Sequence, residues 1–221
     1  MRSITHALLT GLALPSGPLV DLGCGGGALA AELANRFRDR RVFGLDLHPA
    51  ALHQSAAART VRTIQADINR LPLADASVAL LLALDSLDQA GVDPAQSLHE
   101  CRRVLKRNGL LIVRVSAHTW LEGPHDVAFN TGRRHRRSGL TALLQAQGFR
   151  LMRTTYANAL LMPPVVGVRL LQQWRLLSMF ETMGKRTALD DLMSGLLRAE
   201  AQWLRKHNLA FGLSLYVIAR K

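Results

Sequence analysis

The stretch Leu19-Val20-Asp21-Leu22-Gly23-Cys24-Gly25-Gly26-Gly27-Ala28 decides how the rest of the chain is read. An apolar run enters it, an acid closes the run, and alternating glycines follow. Behind them, Leu29-Ala30-Ala31-Glu32-Leu33-Ala34 has the composition of a helix. Strand, glycine turn and helix open a nucleotide-binding α/β unit. A turn without Cβ atoms lets backbone approach a ligand closely.

Two ligands compete for this turn. Gly23, Gly25 and Ala28 satisfy the dinucleotide pattern G-x-G-x-x-G/A, and Asp46 follows at a plausible distance for a ribose acid. Asp21 decides against it. A carboxylate just before the turn repels a pyrophosphate but suits the ammonium and sulfonium of S-adenosylmethionine. The bland alternative is a glycine turn with no ligand. Three glycines in a first helical turn forgo helix propensity without a structural need.

Val20 to Gly27 resembles motif I of the class I S-adenosylmethionine-dependent methyltransferases, in which the glycine loop holds the methionine part of the cofactor. The likeness extends over most of the chain, toward a bacterial small-molecule branch of that family. It implies Asp21, Gly23, Cys24, Gly25 and Gly27 as cofactor contacts, with S-adenosylhomocysteine as product.

Composition sets the frame. The chain has 221 residues, 48% of them hydrophobic, enough for one α/β core, expected as a single domain over 1–221. Cys24 and Cys101 stand in a glycine turn and a helix, a pattern that suggests neither a disulfide framework nor a metal site, and a reducing cytoplasm is the simplest home. The start, apolar to Leu14, imitates a signal peptide. His6 interrupts it and Pro18 leads straight into a strand, so a short helix leaning over the cofactor mouth is expected instead. No apolar run is long enough to span a bilayer. The net charge of +12 suits an acidic partner, whether nucleic acid, anionic membrane or anionic substrate, or simply a solvated surface.

Apolar runs alternate with helix-period segments, the pattern of a parallel sheet covered on both faces. The first strand is expected to end at Val20 and the next four to span 41–46, 61–66, 78–84 and 110–115, with Asn108-Gly109 stopping the helix that begins near Pro94. Further strands are expected over 149–156 and 211–219. The resemblance makes this a Rossmann-like sheet of seven strands, mostly parallel, with the last antiparallel. Residues 157–209 form a helical insertion between strands six and seven.

Acids close several of these strands at one edge, where open α/β sheets bind ligands. Asp46 is placed to accept hydrogen bonds from both ribose hydroxyls. It also suits a plain helix-start acid before Pro49. Asp67 matches the family position whose carboxylate takes the adenine amino group, with Ile68 on the ring and Leu47 beside it; it also suits an ordinary strand-end turn acid. Leu84 and Asp85 follow at the end of strand four. Related chains often carry Asp-x-x-Glu-His there, the histidine serving as base. This chain has Asp85-Ser86-Leu87-Asp88-Gln89, and a glutamine takes no proton near neutral pH. The absence of Asn-Pro-Pro-Tyr argues against methylation of an amide or adenine nitrogen.

Ser116-Ala117-His118-Thr119-Trp120-Leu121-Glu122-Gly123-Pro124-His125-Asp126 resembles the strand-five loop of that small-molecule branch. Thr131 stands where a histidine is frequent, and His135 where a tyrosine is usual. Methyl transfer is a direct displacement, needing alignment and a deprotonated nucleophile. His125 and Asp126 are the candidate bases, or else they pin the loop. Trp120, Arg133, Arg134 and His135 are candidate acceptor contacts, the arginines suited to an anionic group.

The expected function is methyl transfer from S-adenosylmethionine to a small molecule, through an oxygen of an apolar acceptor. An RNA methyltransferase and a catalytically degenerate cofactor-binding protein are the alternatives. The apolar stretch 157–171, with Trp174 beyond it, is expected to wall the acceptor pocket, to touch a membrane peripherally, or to pack in the core.

Overall fold

The computed structural model describes residues 2–56, 61–123, 126, 130–163, 165–167 and 188–221. Its helices are α1 (Arg2–Leu8), α2 (Ala28–Arg36), α3 (Pro49–Ala56), α4 (Pro94–Val104), α5 (Arg137–Ala146) and α6 (Ala188–Trp203). The strands are β1 (Leu19–Leu22), β2 (Val42–Asp46), β3 (Arg62–Gln65), β4 (Val78–Leu84), β5 (Leu105–Ser116), β6 (Arg150–Ala157) and β7 (Ser214–Arg220). They form one seven-stranded sheet in the order β3-β2-β1-β4-β5-β7-β6. β7 runs antiparallel to both β5 and β6, and the other pairings are parallel.

β4 shows why the sheet takes this form. Val78-Ala79-Leu80-Leu81-Leu82-Ala83 is buried throughout, as a central parallel strand covered on both faces must be. Alternate residues serve opposite layers. Leu81 and Ala83 join Val20, Leu111 and Val113 against Leu98 and Cys101 of α4 and Leu140 and Leu144 of α5. Leu80 and Leu82 join Leu19, Leu110 and Ile112 against α1, α2 and the C-terminal part of α6. The register Val20↔Leu81 and Leu81↔Leu111 sets the carboxyl ends of β1, β4 and β5 at one edge. The site is built there.

Two expectations fail. α1 does not lean over the cofactor mouth. Ile4, Ala7 and Leu8 form one apolar stripe, buried with Leu29 and Leu33 of α2, and Arg2 and His6 both bind Glu32. Nor does Asn108-Gly109 stop a helix. α4 starts at an Asp93 cap that accepts from the backbone of Ala95 and Gln96, and it ends at Val104. Leu105 is already extended and paired with Val78, so Asn108 and Gly109 lie in an irregularity within β5.

The insertion is described only at its two ends. Arg169, Leu170, Leu171, Trp174, Leu177 and Met179 lie outside the described residues. Ala201 and Leu204, at the far end of the segment, are buried in the sheet-face core. Glu200, 4% exposed, accepts from the backbone amides of Asn158 and Leu160, tying α6 to the end of β6. Glu200→Ala is expected to cost about 2 kcal/mol by leaving these two amides without their acceptor. Urea unfolding checks it, with a smaller loss for Glu200→Gln. No described helix is long and apolar enough to cross a membrane.

Candidate functional site

A cavity of about 360 Å³ opens at the carboxyl edge of β1, β2, β3 and β4. Its walls include Gly23, Asp46, Leu47, Asp67, Ile68, Leu84 and Asp85, so seven of the expected cofactor residues meet around one space.

The glycine loop is tied to β2 before it reaches α2. The amides of Gly23 and Cys24 both donate to the Leu45 carbonyl, at 2.7 and 3.0 Å. Gly23 has φ +71°, and a Cβ there would lie 2.9 Å from the Cβ of Ser86. Only glycine suits both the conformation and the close approach. Gly27 also lies in the left-handed region, as the cap residue of α2.

Asp46 is held at both oxygens. Gly25 donates its amide to Oδ2 at 2.8 Å, and His48 donates its amide to Oδ1 at 2.9 Å. Each oxygen keeps lone-pair capacity for a hydroxyl donor. Asp67 is fixed in a turn by the Asn69 amide, which donates to Oδ1 at 2.8 Å.

Asp21 is different. It is buried at 3% exposure, and among the described residues its carboxylate has no hydrogen bond or ion pair. Burial, and the charge of Asp46 beside it, push its pKa up to about 7. Cys24 is pushed up to about 12 by burial and by the same two acids, so it stays a thiol and not a nucleophile.

Asp85, at φ +55°, pairs with Arg114, whose Nε donates to Oδ1 at 2.6 Å. The Gln89 side chain donates to the Asp85 carbonyl at 2.9 Å. Gln89 therefore braces the strand-four turn, and it forms a β-bridge with Thr131. Two of the positions that depart from the family pattern thus meet.

The strand-five loop closes on itself. Asp126 and Arg134 form a buried two-point ion pair, with Nη2 to Oδ1 at 2.7 Å and Nε to Oδ2 at 3.1 Å. Arg134 also donates to the Ala117 carbonyl, and the Gly123 amide donates to Asp126. This is the loop-pinning alternative for Asp126, and it occupies Arg134 as well. Arg133 is exposed and donates to the Val92 carbonyl at 3.2 Å. His135 donates its backbone amide to the Ser116 carbonyl, and burial pulls its imidazole below the usual range. Its Nε2 has no partner among the described residues, nor has Asp88 Oδ1 or Ser86 Oγ. Trp120 stands 58% exposed on a single 3₁₀ turn. None of Trp120, Asp126, Arg133, Arg134 or His135 lines the cavity, and His125 lies outside the described residues.

Sequence reading missed Ser86, which lines the cavity, and Arg114. The signal for Arg114 was present: it is the one charge in Leu110-Leu111-Ile112-Val113-Arg114-Val115.

Residues 20–113 match the family model described as a methyltransferase domain. A malonyl-[acyl-carrier protein] O-methyltransferase of Methylovorus is 36% identical over 104 residues, 42% of this chain and 35% of that protein. A ubiquinone biosynthesis O-methyltransferase of Alkalilimnicola ehrlichii is 33% identical over 99 residues, 42% of this chain and 39% of that one. The chain thus spans well under half the length of these curated relatives. Among solved structures, an S-adenosylmethionine-dependent methyltransferase from Mesorhizobium loti superposes with a TM-score of 0.65 at 18% identity, over 99% of this chain and 98% of that one.

The fold is that of the class I S-adenosylmethionine-dependent methyltransferases, and the cavity opens at the sheet edge where the expected cofactor residues meet. Over residues 20–113 the chain is similar to methyltransferase domains, and the curated relatives it matches are named methyltransferases.

Proposed function

We propose that this protein transfers a methyl group from S-adenosylmethionine to an oxygen of a small, largely apolar molecule. The observation that carries the reading is the cavity edge itself. An acid held by two backbone amides, a second turn acid and a buried unpaired carboxylate meet beside a glycine loop. The two relatives described above are named O-methyltransferases, one of them malonyl-[acyl-carrier protein] O-methyltransferase. That supports oxygen as the methylated atom.

The cofactor supplies an electrophilic methyl on a sulfonium. In this reading Asp46 holds the ribose, Asp67 with Ile68 and Leu47 holds the adenine, and the loop from Gly23 to Gly27 holds the methionine part. Asp21 supplies negative charge beneath that loop. The chain then aligns an acceptor oxygen from the strand-five side, as direct displacement requires. The Asp126–Arg134 pair keeps that loop in place, and the exposed Arg133 is free to meet an anionic part of the acceptor. His125 is the proposed proton acceptor where the oxygen arrives as a hydroxyl.

Labelled methyl transfer by the full chain tests this, with carboxylate and hydroxyl acceptors and RNA as a third arm. Methyl ester or methyl ether formation is the expected outcome. Label appearing only in RNA would move the reading to the arginines of 133–137, and cofactor binding without transfer to any arm would make the protein a degenerate binder. His125→Gln should slow turnover and leave cofactor affinity unchanged.

A further inference from the structure

Arg114 sits on a buried strand at 7% exposure, where a guanidinium needs partners. It has two. The Asp85 carboxylate takes Nε at 2.6 Å and also takes Nη2. The Tyr216 ring lies 6.0 Å from the guanidinium carbon, and the Tyr216 hydroxyl meets Thr5 of α1 at 3.2 Å. Asp85 is held from the other sides as well. Its amide donates to the Arg114 carbonyl, and its own carbonyl accepts from Gln89. A non-glycine residue at φ +55° persists only where its surroundings fix it in this way.

The charges around the cavity are uneven. Asp21, Asp46, Asp67 and Asp85 gather at one sheet edge. Among the described residues only Asp85 has a cationic partner. The glycine-loop side keeps its negative charge, and the end of β4 is neutralised.

We propose that Arg114 is a positioning residue that sets the charge of the β4 end of the cavity. By cancelling Asp85 it leaves Asp21 and Asp46 to attract the cationic cofactor and keeps a further carboxylate from stabilising the sulfonium. The inference rests on the methyltransferase reading. Methyl transfer removes the sulfonium charge. A free carboxylate beside it would therefore stabilise the bound cofactor more than the transition state and slow the reaction. Asp85 is then a residue held for shape, with its charge spent on Arg114.

The test compares dissociation constants of S-adenosylmethionine and S-adenosylhomocysteine, which lacks the sulfonium charge, by calorimetry on the full chain. Arg114→Met frees the Asp85 charge. It should raise the preference for the methylated form by on the order of fivefold to tenfold. Asp85→Asn leaves the guanidinium unpaired and should lower the preference by a similar factor. The double variant should return to within about twofold of wild type, and Arg114→Lys should keep the wild-type ratio. Equal weakening of both ligands in Arg114→Met and in Asp85→Asn would reduce the pair to a structural one and overturn the proposal. Should Arg114→Met fail to fold, Asp85→Asn and the double variant decide on the same ratio. A wild type that binds neither ligand would instead refute the methyltransferase reading, and this inference with it.

Discussion

Asp46→Ala is expected to raise the dissociation constant for S-adenosylmethionine by about 10²-fold or more. Two losses combine. A hydrogen bond to a charged group contributes roughly 1.5–3 kcal/mol, and the two carboxylate oxygens are matched to the two ribose hydroxyls. The carboxylate also anchors the glycine loop through the Gly25 amide and the following turn through the His48 amide. Alanine leaves both amides to water and lets the loop drift from the geometry that a bound cofactor needs. Asp46→Asn separates the two losses, since an amide oxygen can keep one anchor but accepts more weakly. Calorimetry on the three proteins checks this. Unchanged affinity in the alanine variant, or a wild-type preference for a nicotinamide dinucleotide, would remove Asp46 from the ribose role.

The residues that meet around the cavity were legible because local sequence places them. A glycine turn must follow β1, Asp46 closes the apolar run of β2, and Asp67 stands two residues beyond the end of β3. β4 is a continuous apolar run bounded by Ser77 and Asp85, and its observed limits are those of the run. The loop after β5 had no such period to follow. The Asp126–Arg134 pair joins two residues across an irregular segment, and no spacing rule distinguishes a loop clamp from a base beside an anion-binding arginine. α1 was misplaced for a related reason. Its apolar stripe is visible, but which surface receives it depends on α2 and on α6, the latter distant in sequence. Arg114 shows the opposite case. The lone charge was in plain view, but its meaning required the neighbouring strand that carries Asp85.

Cofactor affinity is also expected to depend steeply on pH, through Asp21. Burial and Asp46 raise this carboxyl from 3.8 to about 7 in the folded protein without ligand. Between those two values the folded chain holds a proton that the unfolded chain has released. Folding stability from this group therefore falls as pH rises from about 4 to 7, by on the order of 3–4 kcal/mol at about 1.4 kcal/mol per unit. Binding runs the other way. The cofactor's cation favours the ionised carboxylate, so below pH 7 binding must expel the proton. Affinity should rise roughly tenfold per pH unit from pH 5 and level off above pH 7, about 10²-fold in all. Calorimetry in buffers of different ionisation enthalpy should register one proton released at pH 6 and almost none at pH 8. Asp21→Asn tests the assignment: it should flatten the profile and hold affinity near its low-pH level even at pH 8. An asparagine variant that keeps the wild-type slope would take the titration away from Asp21. A wild-type affinity that ignores pH would mean that Asp21 stays protonated beneath the loop and does not meet the cofactor's charge.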